Sequence, residues 1–175
     1  GPEDVTLYEL GLKAKFDRGY INVAVFDQTI KGFQSNIFIG TGFVLANAGE
    51  QSVRGFEVES LWQPWEPLVA TAGLTYLDPE YDSFPNAPCV SFVGEAPPAC
   101  AGGAATFDAS GLRPAGISKW NFAGSLTYTQ PLSETLEMYL RGEVDIQSNV
   151  ATVENVPAAI SSRSIEQLNV SLGFS

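Results

Sequence analysis

Four carboxylates at i, i+2 spacing are the residues here best placed to do chemistry: Glu57 with Glu59, and Glu143 with Asp145. Two carboxyl groups held a few ångströms apart are the machinery of glycoside hydrolysis, one as acid and one as base or nucleophile. The chain has no histidine, so the usual general base and the usual imidazole metal ligand are both missing. Two cysteines, Cys89 and Cys100, lie in one Pro/Gly/Ala-rich stretch with no third cysteine to complete a metal site. They suit a local disulfide in an oxidising compartment, with two free thiols as the alternative. In the chain-entropy treatment, closing so short a loop stabilises it by about 3 kcal/mol.

The carboxylates change meaning once the elements that carry them are considered. Residues at i and i+2 share one face of a β-strand. Glu137, Tyr139, Arg141, Glu143, Asp145 and Gln147 occupy one parity of residues 136–147, and Leu136, Met138, Leu140, Gly142, Val144 and Ile146 the other. Glu57 and Glu59 fall likewise on the polar parity of residues 51–62, opposite Phe56, Val58 and Trp62. Ordinary strand polar faces account for both pairs, and no catalytic residue is expected. A helix is the alternative for residues 133–146, with Ser133 as cap and Leu136, Leu140 and Val144 on one side. It would strand Met138 and Ile146 among polar groups, whereas a strand misplaces no apolar residue.

The same alternation predicts seven strands, at about residues 5–16, 20–30, 51–62, 68–77, 118–129, 136–147 and 163–174. Short turns are expected at Asp17-Arg18-Gly19, where Gly19 can take a positive φ, at Pro64-Trp65-Glu66-Pro67, and at Pro131-Leu132-Ser133-Glu134. Longer connections are expected at residues 31–50, 78–116 and 148–162. Connections thus alternate short and long, the layout of an outer-membrane barrel with turns at one end and loops at the other. Aromatics near strand ends (Tyr8, Phe16, Trp62, Trp65, Tyr76, Trp120 and Tyr128) suit interfacial girdles. The expected fold class is all-β: an antiparallel up-and-down meander of about seven transmembrane strands of an outer-membrane β-barrel. A soluble extracellular β-sandwich that binds carbohydrate or an adhesin partner also alternates, and is the rival from another class. A small pore assembled from several copies is a third.

Composition narrows the partners. A formal net charge of -11 argues against nucleic acid, which needs clustered Lys and Arg. No apolar run is long enough for a transmembrane helix. The start at Gly1-Pro2-Glu3, close to the first strand, reads as a cut or an expression boundary.

Several stretches, in order, resemble one family. PEDVTLYELGLKAKF, YINVAVFDQTIKGFQ, NAGEQSVRGFEVE, LTYLDPEYDSFPNAPC and GISKWNFAGSLTYTQPL are similar to consecutive parts of the β-barrel of TonB-dependent outer-membrane receptors. The Asn-Ala-Gly followed by Gly-Phe-Glu-x-Glu is the most specific, and residues 95–109 are the least constrained. The resemblance implies a barrel of about 22 strands around a plug. Residues 1–175 are then a partial barrel domain, lacking plug, energy-coupling segment and closing strand. It implies the cell outer membrane of a Gram-negative bacterium, short turns in the periplasm, and a long extracellular loop at residues 78–116. The implied partners are outer-membrane lipid, the periplasmic TonB energy-coupling protein through the plug, and an extracellular ligand, most commonly a ferric siderophore. No cofactor or metal site is implied. Candidate ligand contacts are the loop residues Tyr81, Phe84, Phe92, Phe107 and Arg113.

Overall fold

The computed structural model describes residues 2–39, 42–89, 98–152 and 162–174. Seven strands form one antiparallel sheet in which every strand pairs with its neighbour in the chain. They are β1 (Asp4–Phe16), β2 (Gly19–Ile39), β3 (Gly42–Trp65), β4 (Leu68–Ser83), β7 (Trp120–Pro131), β8 (Glu137–Ala151) and β9 (Ser162–Phe174). Between β4 and β7 lie a two-stranded ribbon of β5 (Ala87–Pro88) and β6 (Thr106–Phe107) and a 3-10 helix (Pro98–Gly103). The segment 133–146 is strand from Glu137 onward, so the helical alternative is excluded. The sandwich rival also fails: among the described residues no second large sheet covers the first.

Register explains why one parity stays apolar across the sheet. Paired residues of antiparallel strands point to the same side. One row runs Leu12, Val23, Val58, Leu74, Phe122 and Ile146; the next runs Leu10, Val25, Phe56, Tyr76 and Trp120. The β8–β9 ladder continues the face with Leu140 beside Leu172 and Val144 beside Leu168. No protein covers this face at the sheet edges. Leu10 is 75% exposed, Leu12 68%, Leu168 74% and Val170 69%. In water, an apolar surface of this extent would drive association.

Three connections depart from the sequence expectation, in one direction. The segment 31–50 is not a loop: β2 runs on to Ile39 and β3 begins at Gly42. A bulge at Gly32, whose φ is 68°, shifts the register between Lys31 and Phe33 without ending the pairing. β4 likewise continues past residue 77 to Ser83 despite Pro79. On that edge Leu77 N–H donates to Lys119 O and Tyr81 N–H to Leu112 O. Pro79 lies between them on the same side, beyond the start of β7, where a missing N–H breaks no ladder. At the other end β3 reaches Trp65, so the turn is Glu66-Pro67 and Pro64 is still strand.

Gly19 is a further correction. It is not among the residues with positive φ. Its side-chain hydrogen faces the Leu61 carbonyl oxygen and, at 2.8 Å from where a Cβ would stand, the Phe16 ring. Close approach, and not handedness, selects glycine there.

Candidate binding surface

The face opposite the apolar rows carries the polar groups. Its central row runs Lys13, Asn22, Glu59, Gly73, Ala123, Asp145 and Gln167; the adjacent row runs Lys15, Tyr20, Leu61, Thr71, Ser125, Glu143 and Asn169. Small residues at Gly73, Ala123 and Ser125 leave a trough of about 480 Å³, walled by Tyr20, Glu59, Arg141, Glu143 and Asp145. Two of its carboxylates are engaged with neighbours. Glu59 accepts from the Tyr20 hydroxyl at 3.2 Å and from Asn22 Nδ2 at 3.1 Å. Glu143 accepts from Arg141 Nη2 at 2.7 Å. Among the described residues no group of three potential ligands could hold a metal ion.

The polarity of the two faces exchanges near one end of β1–β4. Beyond the Phe56, Tyr76 and Trp120 row, the formerly apolar parity becomes Asp27, Arg54 and Asp78, then Thr29, Ser52 and Glu80, then Lys31 and Glu50. Arg54 Nε meets Asp27 Oδ2 at 2.8 Å, Lys119 Nζ meets Asp78 Oδ1 at 2.5 Å, and Lys31 faces Glu50 at 3.9 Å. Ser52 Oγ donates to Asp82 Oδ1 at 2.9 Å. The other parity simultaneously turns apolar: Phe26 and Leu77, then Leu7, Val53 and Pro79, then Val5, Ile30 and Tyr81. Just inside the boundary, Tyr76 and Trp120 pack at 4.5 Å between ring centres, with Phe56 at 5.6 Å from Tyr76. The apolar band therefore ends at an aromatic row with ion pairs above it. Towards the opposite end stand Phe16, Trp62 and Trp65, each about half exposed, and Tyr128. From Trp120 to Tyr128 along β7 is roughly 27 Å, or about 21 Å when a strand tilts by ~40°. That approaches the ~25 Å band of outer-membrane barrels.

The loop candidates fall into three places. Tyr81, Phe84 and Phe107 come together in a buried cluster with Ala87, Cys100 and Ala109, with Phe33 packed against it. Tyr81 and Phe84 meet edge to face with ring centres 4.9 Å apart, and Phe33 lies 6.1 Å from Tyr81. Arg113 is half-buried on the following segment. Phe92 lies outside the described residues. Cys89 and Cys100 form a disulfide with Cα atoms 5.6 Å apart, which fastens the ribbon to the cluster.

Residues 109–112 pair with the free edge of β4, through Ala109 N–H to Phe84 O and Gly111 N–H to Tyr81 O. Ser110 secures this turn. Its Oγ accepts from Phe84 N–H at 2.9 Å, and its own N–H donates to Asp108 Oδ1 at 2.9 Å. Hydrogen bonds from the Ser110 hydroxyl and then from its backbone hold the Asp108 carboxyl below its ordinary pKa. The expected loop thus continues the sheet to Ser83, and its later residues fold as a disulfide-closed ribbon and an edge contact on the end of β4. Sequence reasoning missed the exchange of faces, although alternation in residues 26–30, 50–54 and 77–81 carries it with inverted phase.

The family model described as "TonB dependent receptor-like, beta-barrel" matches residues 1–174. The chain belongs to that family. Within the TonB-dependent receptor-like barrels, the seven-stranded antiparallel meander has its expected form. A comparison with curated proteins finds no match. Among solved structures the chain is similar to the crystal structure of BauA, the ferric preacinetobactin receptor from Acinetobacter baumannii, with TM-score 0.64 and 18% identity. That match covers 97% of this chain and 22% of BauA, so the chain spans about a fifth of that receptor's length. At this identity the likeness concerns the fold.

Proposed function

We propose that these strands form a wall section of a TonB-dependent transporter in the outer membrane of a Gram-negative bacterium, taking up a scarce, large ligand. A ferric siderophore is the cargo favoured by the family and by the likeness to a ferric-siderophore receptor. The carrying observation is the exposed apolar face, continuous over seven strands and ended by aromatics and ion pairs. Lipid is the medium that such a band fits. The polar face then lines the lumen, and its carboxylates serve solvation and salt bridging instead of catalysis.

The short turns at 17–18, 66–67 and 132–136 face the periplasm in this proposal, and the long ends of β2–β4 with the disulfide-bonded loop face outward. β1 and β9 have one open edge each, which other strands of the barrel would pair, since an unpaired edge in lipid is prohibitive. A plug contacting TonB would supply the energy. Ligand contact by Phe92 and Arg113 remains part of the proposal; for Tyr81, Phe84 and Phe107 contact requires the buried cluster to open.

Folding medium tests the transporter reading. The receptor barrel that carries these strands is expected to give a compact species in detergent micelles whose gel mobility changes on boiling, and to aggregate in plain buffer. A monodisperse folded species in plain buffer would sink it.

A further inference from the structure

Beyond Leu77, burial on β4 follows residue parity. Asp78, Glu80 and Asp82 are exposed, whereas Pro79 and Tyr81 between them are buried. Cover therefore comes from one side only, the side that continues the polar trough. The cover is the chain's own: Tyr81 joins Phe84, Cys100 and Phe107 in the loop cluster. The ribbon of β5 and β6 and the return segment 108–112 thus lie as a strap over the end of β4 on that face.

Gln51 lies on the covered face as well. It pairs with Ile30 on one side and with Tyr81 on the other, and paired residues point the same way. Only 6% of Gln51 is exposed, while every other residue of β3 with a described side chain is half-buried or exposed. Among the described residues no hydrogen bond reaches its side-chain amide. An amide carries two N–H donors and an accepting oxygen, so burying it without partners forfeits hydration and returns nothing. Closure of the strap is thus a contest between the apolar cluster, which favours it, and this amide, which opposes it.

We propose that the strap opens and closes over the inner face, and that Gln51 is the residue that keeps the closed state marginal. Opening breaks the bonds from Ala109 N–H to Phe84 O and from Gly111 N–H to Tyr81 O, and lets water reach the Gln51 amide. The Cys89–Cys100 disulfide holds the ribbon together in both states, so the strap lifts as a unit. The device goes beyond the transporter reading and stands on the packing of the loop, whichever medium meets the apolar band.

The test measures hydrogen exchange of the Ala109 and Gly111 amides, relative to β8, in the receptor barrel that carries these strands, in detergent micelles. Gln51→Met keeps the length of the side chain and removes its polar atoms. It is expected to slow exchange at both amides about tenfold. Phe107→Ala, which takes apolar contact from the cluster, is expected to quicken the same amides. Boiling-sensitive gel mobility checks that each variant keeps its barrel, and Gln51→Leu carries the test if the methionine variant loses it. Exchange that is unchanged or faster once the amide is removed overturns the proposal, because it shows a Gln51 that supports the closed strap or has no part in it. That result leaves the transporter reading standing.

Discussion

Arg54 and Asp27 face each other across β3 and β2 at 2.8 Å, on the same side of the sheet that carries Phe56 and Val25 two residues further along. A single step in the register separates an ion pair from an apolar pair. One strand face passes from a wet to a dry surrounding at this step, since an exposed ion pair is weak in water and costly to hold in hydrocarbon. The position gives the sheet an inside, an outside and a height.

A charge placed in the band should cost far more than the same charge opposite it. Val58→Arg, at the middle of the apolar row, is expected to destabilise the bilayer-inserted fold by about 2–4 kcal/mol. Asn22→Arg, on the polar face of β2, should change it by less than about 1 kcal/mol. Reversible denaturation of lipid-inserted protein compares the two, and equal costs would contradict the assignment of faces.

Two glycines should respond oppositely to alanine. A Cβ at Gly55 collides with the Tyr76 carbonyl oxygen and the Phe26 ring, while at Gly142 it meets nothing within 4 Å. Gly55→Ala is expected to lose about 1–3 kcal/mol through displacement of the β3–β4 ladder. Gly142→Ala should stay within about 0.5 kcal/mol of the parent. Denaturant midpoints of the two variants in detergent decide it.

The buried loop cluster and the disulfide should act as one unit. Cys100 is itself a member of the cluster, so reduction loosens what Tyr81, Phe84 and Phe107 bury. Dithiothreitol is expected to expose a protease-sensitive site within residues 84–112 while the strands stay protected, and Phe107→Ala to do so without reductant. Thiol titration under non-reducing denaturation should find no free cysteine.

Acid should release the Ser110 turn. The Asp108 carboxyl has a lower pKa in the folded loop than in the unfolded chain, so it binds fewer protons when folded. Its contribution is complete above the unfolded value of about 3.9 and fades as pH falls through the folded one. Amide exchange of Phe84 and Ser110 should therefore quicken, relative to β8, as pH drops below about 4. Asp108→Asn is expected to remove that acid step, and a step unchanged in the variant would assign it elsewhere.

The strands of the apolar band were legible because they keep a strict phase: apolar at Leu136, Met138, Leu140 and Val144, polar between them. The same phase rule hid what lies above. At Asp78, Pro79, Glu80 and Tyr81 the outward residues turn charged and the inward ones apolar, and Pro79 adds a strand-breaking signal that the free edge of β4 tolerates. At the start of residues 31–50 a bulge at Gly32 shifts the register and breaks the strand phase. The loop aromatics Tyr81, Phe84 and Phe107 were conspicuous by type, but their convergence on Cys100 depends on the disulfide-closed ribbon, which spacing does not reveal. The Phe26 and Gly55 contact is cross-strand, invisible until register pairs β2 with β3.

The lipid-facing assignment of β8 is tested most directly by nitroxide labels placed singly from Met138 to Ile146 in bilayer-inserted protein, comparing collisions with oxygen and with a water-soluble nickel chelate. Oxygen collisions should peak at 138, 140, 142, 144 and 146, and nickel collisions at 139, 141, 143 and 145. Accessibility without a two-residue period, or with the opposite phase, would contradict a barrel wall whose apolar face meets lipid.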